Sequence, residues 1–436
     1  MKNLSVPARR RQPAGRLLLL YMVLMPFMSA LAITERLPLP LLVMAIAAPW
    51  LILRRDGPPV LRALQTDAGF VFALLLGCLA MLNSPLPLGA KNFNYAIAML
   101  VSYVMFCVLL RVWISHPHVR WRDLVSGAHA CLMLLSIAIL AEFYLASFHG
   151  TFLSDIIPYA HDELNIADFV TSDFKRPRGF SSEPGFSALA YECLWPLAAA
   201  DFGARRRGWG RHLFYALGFG LLASAAAVAS LAVAMSAVIL VRASDRGRML
   251  RIAALVLAVA LLLVTTEAGQ EMVWTLFGRK FDFVTAALEA DDSAGTLFQR
   301  ILTYQAGLTV LMANPLGIGW GTLGESFATG VGLPEVGLLT GSGMVSLYLD
   351  VAVASGWLGA VAIIWFVGRR IRGSLRSRHP MAVYVGVAVT SVCVHHAFIT
   401  EFQFPFIWFA LAMSDRLLAE SHESARRARR AIWANA

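Results

Sequence analysis

The sequence predicts an all-α fold, a polytopic integral membrane protein of about 12 transmembrane helices with one large outer-face loop. Three observations predict it. Of 436 residues, 58% are hydrophobic and only 15% charged, against roughly 45–50% and 25% in soluble domains. Apolar runs near 20 residues recur along most of the chain, each long enough for a hydrocarbon core about 30 Å thick. The basic residues gather in short segments between those runs, as orientation signals do. A soluble globular enzyme, a disordered tail and a disulfide-stapled secreted domain are thereby excluded. The net charge of +10 does not mark a nucleic-acid binder, because it is dispersed through those short segments. Cys78, Cys107, Cys131, Cys193 and Cys393 all lie inside apolar runs and form no metal-type or redox spacing.

The runs fall at 17–34, 38–53, 68–82, 94–112, 124–148, 184–202, 212–241, 249–266, 343–367, 381–398 and 402–419. Lys2, Arg9, Arg10, Arg11 and Arg16 place the N-terminus inside. Arg54, Arg55 and Arg62 after the second run, and Arg111, Arg120 and Arg122 after the fourth, place those loops inside too. Run 212–241 is flanked by basic residues at both ends, Arg205–Arg207 and Arg211 before it, Arg242, Arg246, Arg248 and Arg251 after it. Both flanks belong inside, so the run should go out and return, with its bend at Ser224-Ala225-Ala226-Ala227. Two limbs of 15 residues would reach only about 22 Å each, a shortfall that thinning or tilt can absorb. A single tilted helix is the alternative; it would put the arginine-rich loop 369–378 outside.

Counted this way, residues 1–148 hold helices 1–5 and 149–183 a first outer loop. Residues 184–266 hold helices 6–9, and 267–342 a large outer loop with an interfacial helix. Residues 343–419 hold helices 10–12, and 420–436 a basic inner tail. The N-terminus also carries signal-peptide features, a basic region, an apolar run and Ala30-Leu31-Ala32; removing that segment would leave 11 crossings.

Chemistry should gather in the two long outer loops, since long ordered loops are commonly functional. Both are net negative, yet the first holds Lys175-Arg176-Pro177-Arg178-Gly179 and the second Arg279-Lys280 and Arg300. Arg176 to Ala188 leads into a helix starting near 184: Pro184 suits a first turn, and Glu183 is favoured beside a helix N-terminus. That is either a plain helix start or an anion pocket of guanidinium forks and backbone N–H groups. Phe298 to Met312 reads as an interfacial amphipathic helix. Asn314-Pro315-Leu316-Gly317-Ile318-Gly319-Trp320-Gly321 follows, a turn whose glycines would let backbone approach a ligand. Its spacing is not that of a P-loop.

Four spacings in order resemble those of bacterial O-antigen and exopolysaccharide polymerases and O-antigen ligases: Arg176-x-x-Gly179-x-x-x-Glu183-Pro184, Arg300-x-x-x-Tyr304, Asn314-Pro-Leu-Gly317-x-Gly319-x-Gly321 and Gly356-x-x-Gly359. The resemblance covers about 170 to 370. It implies a metal-independent, inverting glycosyltransferase of the bacterial inner membrane with a periplasmic active site and no cofactor. The donor would be an undecaprenyl-diphosphate-linked oligosaccharide and the acceptor a glycan hydroxyl, with membrane lipids and polysaccharide-assembly or chain-length proteins as partners. By motif match Arg176 and Arg300 would hold the diphosphate, Arg178 beside them, with Gly179, Tyr304, Gly317 and Gly319 in the substrate site.

The His-Asn pair that ligases carry about eleven residues before the Gly-x-x-Gly motif is replaced here by Val345-Ser346. The Glu-Pro form of the first motif also looks more like polymerases, so a repeat-unit polymerase is the preferred reading over a ligase. A transporter of lipid-linked sugars is a third class, but no matching halves are visible. For the base that deprotonates the acceptor, Glu183 is the first candidate. Glu192, two turns on in the same helix, is the second; a buried Glu–Arg or Glu–Tyr pair is the alternative reading of it. Glu142 and Asp350 fall toward the outer halves of their helices. His395, His396 and Glu401 flank the last outer turn and read as packing or capping, and His161 as solvated.

Overall fold

A computed structural model describes residues 13–32, 38–53, 67–82, 90–159, 176–201, 208–242, 295–321, 346–400, 402 and 404–434. The expected helix at 249–266, Arg279, Lys280, Glu401 and His161 lie outside them. The described chain is helical: α1 (Pro13–Leu24), α2 (Leu39–Leu53), α3 (Ala68–Leu82), α4 (Ala90–Ser102), α5 (Trp121–Tyr144), α6 (Pro184–Ala198), α7 (Trp209–Leu221), α8 (Ala225–Val241), α9 (Gly295–Ala313), α10 (Leu347–Arg376), α11 (Ala382–His395) and α12 (Pro405–Ala434). After α4 the chain continues through a π-helical segment, Tyr103–Leu109, into one further turn, Leu110–Ile114. Three stretches, Asn92–Ile114, Trp121–His149 and Leu347–Arg376, are long and apolar enough to cross a membrane.

Local chemistry sets the helix starts. Pro184 occupies the first position of α6 with Glu183 as its N-cap, where a missing N–H costs nothing. Ser224 and Ser346 accept from Ala227 N and Leu349 N to cap α8 and α10. Asp123 accepts from Arg120 N at the start of α5.

The central helices, α6 and α11, are buried almost all round. At the periphery α10 exposes Trp357, Leu358, Val361, Ile364 and Trp365, and α3 exposes Phe72, Leu75 and Leu79. Contiguous apolar surface on that scale suits a lipid solvent. α1 belongs to the core, with Tyr21 and Met22 fully buried and Met22 against Gly127 of α5.

The run 212–241 is broken at Leu222–Ser224 and reverses there. α7 runs alongside α5 in the same direction, since Tyr215 reaches His129 and Gly218 lies against Ser136. α8 returns along α11, and Arg242 at its end donates to the carbonyls of Leu375 and Ser377 at the end of α10. α5 begins where α10 ends, because Trp121 and His379 share the Glu420 carboxylate. Trp209 and Arg242 therefore lie at the same end, and the single tilted helix is overturned.

That end is closed by four charges, Asp67, Arg111 and Arg370 buried and Asp415 partly so. Asp67 pairs with Arg111 at 2.7 Å and Arg370 at 2.5 Å, and Asp415 pairs with the same two arginines at 2.7 and 2.9 Å. Tyr103 also donates to Asp67. Here the sequence reading is corrected. Arg111 and Arg370 are not loop residues but buried partners inside helical segments, and α10 runs through Arg376 across most of the expected loop 369–378. The basic segment from 420 onward continues α12 as helix to Ala434.

Candidate functional site

The opposite end of the molecule collects the first-motif residues. Arg178 and Gly179 donate their backbone N–H groups to Glu142 Oε2 at 2.8 and 2.6 Å. The Arg178 guanidinium lies 3.8 Å from Glu142 Oε1 and 5.0 Å from the centre of the Tyr159 ring. Arg178 is 7% exposed and Glu142 fully buried. Tyr159 donates to the Gly179 carbonyl. Gly179 sits at φ +63°, and a Cβ there would meet Leu135 Cδ1 at 3.0 Å. The backbone of Ser29 and Ala30 donates to the Phe180 carbonyl, and Leu31 N to Pro158 O. This knot consumes Arg178 internally. Arg178, expected in the substrate site beside the two diphosphate-holding arginines, makes an ion pair with Glu142 that fixes the loop onto α5.

Arg176, two residues earlier, is placed differently. Its Nε and one Nη donate to the Leu222 carbonyl at 3.2 and 2.9 Å, and that Nη also reaches the Ala223 carbonyl at 3.2 Å. These are the carbonyls of the α7–α8 reversal, where Ala223 is held at φ +46°. Among the described residues no carboxylate lies within ion-pair distance of Arg176. Burial lowers the Arg176 pKa, which the Glu183 charge offsets only in part; an arginine remains charged throughout. A half-buried cation with carbonyls on one edge and no counter-charge in contact is a ready anion site.

Glu183 caps α6 with extended backbone but makes no capping hydrogen bond through its side chain. Glu192 is fully buried two turns further on and binds His395 of α11, Oε1 to Nδ1 at 2.7 Å. His395 and His396 are buried, the latter holding the Val392 carbonyl at 2.8 Å. Sequence reasoning paired Glu192 with no histidine; the two are 203 residues apart, and no local signal connects them. Tyr304 of α9 donates to the Ala397 carbonyl, two residues past His395. Arg300 lies one turn earlier in α9, and its side chain falls outside the described residues.

The glycine motifs meet each other. α10 is interrupted at Gly356, at φ +71° and ψ −172°, which frees the carbonyls of Val353 and Ala354. Ile318 N and Gly319 N donate to them at 3.0 Å each, while Trp357 N turns to Pro315 O at 3.0 Å. A Cβ on Gly317 would lie 2.5 Å from Ala354 O and one on Gly319 2.5 Å from Met81 Cγ. The close approach expected of Gly317 and Gly319 toward a ligand is thus an approach to protein backbone. Trp320 completes the joint, donating to Leu74 O at 3.1 Å and accepting from Asn92 on its carbonyl at 3.0 Å. Tyr95, stacked on Trp320, also donates to Asp350.

Among the described residues no group of three or more His, Cys, Asp or Glu side chains is placed to hold a metal ion. The chain matches no family model and no curated protein.

Proposed function

We propose that this chain is a repeat-unit polymerase, an inverting glycosyltransferase that moves a glycan from an undecaprenyl-diphosphate carrier to an acceptor sugar hydroxyl at the periplasmic face of the bacterial inner membrane. The observation that carries the reading is Arg176, a guanidinium whose fork is fixed by the Leu222 and Ala223 carbonyls and which no carboxylate contacts among the described residues, in the spacing Arg-x-x-Gly-x-x-x-Glu-Pro with Glu183. Departure of a glycosyl group from a lipid diphosphate leaves negative charge on the pyrophosphate. A fixed cation stabilises that charge most where it is already oriented and little hydrated. Arg176 meets both conditions, its fork held by two carbonyls and its environment partly desolvated. In this reading Arg300 supplies a second guanidinium from α9, which Tyr304 anchors at the Ala397 carbonyl. Arg178 acts one step removed, by keeping the loop seated on Glu142.

The test is incubation of purified protein with a lipid-linked repeat unit. A ladder of products supports the polymerase. A single transferred product on a lipid or protein acceptor makes the chain a ligase instead. No covalent product from protein that remains folded overturns both.

A further inference from the structure

Resting on that reading, we infer that the Glu192–His395 pair is the proton acceptor of the transfer: His395 the base that meets the acceptor hydroxyl, Glu192 the residue that positions it. Three observations support the assignment. The contact is a 2.7 Å carboxylate–imidazole bond with Glu192 at 0% and His395 at 1% exposure. A buried carboxylate held against one imidazole nitrogen fixes the ring and stabilises the imidazolium that forms when the other nitrogen takes a proton. The second Glu192 oxygen, Oε2, is also fully buried, with the Ser391 hydroxyl of α11 bearing on the same carboxylate, so that the carboxylate and the ring are held by one helix. The pair also lies where the acceptor would arrive. His395 ends α11, and two residues later the chain receives Tyr304 from the helix that carries Arg300. Leu347 N, at the head of α10, caps the same turn through the carbonyls of His396 and Ile399.

Glu183 is the weaker candidate on chemical grounds. Its charge acts on Arg176, the cation that must hold the leaving group, which gives it a role on the donor side of the transfer. An imidazole paired to a buried carboxylate is better matched to a proton acceptor working near neutral pH. The step balances without a co-reactant. The acceptor oxygen bonds to the anomeric carbon, and the carbon–oxygen bond to the diphosphate breaks with its electron pair leaving on phosphate. The hydroxyl proton passes to His395 Nε2 while Glu192 stays a carboxylate against Nδ1–H. Since His395 is almost fully covered, the contact between Tyr304 and the Ala397 carbonyl must part to admit the hydroxyl.

The experiment compares wild type, Glu192→Gln, Glu192→Asp and His395→Gln in detergent with a lipid-diphosphate-linked repeat unit. It measures kcat and KM for the donor against pH, with thermal melting as a folding control. The assignment expects kcat to fall roughly 10²–10⁴-fold in His395→Gln with donor KM held within a few-fold. It also expects Glu192→Gln to move the acid limb of the kcat profile to lower pH, and Glu192→Asp to recover part of the rate. Full kcat in His395→Gln, or a wild-type profile with no acid limb, overturns the assignment and leaves the polymerase reading standing. The wild-type profile decides even if every variant fails to fold. No product from folded wild type overturns the polymerase reading and this assignment with it.

Discussion

At the scale of single residues, two arginines separated by a single proline have opposite fates. Arg178 is matched to Glu142, and truncating it would leave that carboxylate buried and unpaired, at a cost of about 3–5 kcal/mol. Arg178→Ala is therefore expected to lower the melting temperature of the detergent-solubilised protein, and Glu142→Gln in the same chain to recover part of the loss. If Arg178→Ala melts like wild type, the ion pair has no structural weight. Among the described residues Arg176 grips carbonyls alone, so Arg176→Ala loses charge-assisted hydrogen bonds worth about 1.5–3 kcal/mol. Arg176→Lys is expected to keep some activity, since an ammonium supplies the charge but not the fork; a fully active Arg176→Ala would remove the residue from the site. The sequence could nominate both arginines because their neighbours, Pro177, Gly179 and Pro184, are local signals. It could not separate them, because Glu142 and the Leu222 carbonyl are supplied by segments 36 and 46 residues away.

At the scale of elements, the clearest legible feature was the reversal inside 212–241, deduced from arginines on both flanks and found at Leu222–Ser224. Helix starts at Pro184 and Ser346 follow local chemistry as well. The pairing of the two glycine motifs was invisible, although both motifs were in view. Nothing local shows that one turn fills the break in the other's helix. Gly356→Ala and Gly317→Ala test that joint. Each forces an L side chain into a positive-φ conformation, costing about 1–2 kcal/mol, and adds a Cβ where backbone already sits. Both are expected to melt at least several degrees lower than wild type, whereas Gly368→Ala in α10, where a Cβ meets nothing within 4 Å, is expected to match or exceed it. Equal melting of all three would mean that the joint is loose.

At the scale of the whole molecule, polarity divides into two ends. One end is closed by Asp67, Arg111, Arg370 and Asp415, a set with no net charge and every member paired. Asp67→Asn leaves two buried arginines facing one carboxylate and is expected to destabilise the fold by about 3–5 kcal/mol, read as loss of monodisperse protein or a lower melting temperature. Retained stability would show that the set is dispensable. The other end holds Arg176 on the Leu222 and Ala223 carbonyls, the Glu192–His395 pair and α9. Composition and charge distribution were enough to expect apolar helices and two unlike ends. Partner choice among buried charges was not legible, because it depends on helices brought together from up to 303 residues apart.

The central claim is that Arg176 holds a lipid diphosphate, and the direct measurement is equilibrium binding of farnesyl diphosphate, a short soluble relative of the carrier, to wild type and Arg176→Ala. The account predicts binding weakened roughly 10- to 100-fold in the variant, the loss of one charge-assisted hydrogen-bonding group. Equal affinity in a variant that folds normally would contradict it.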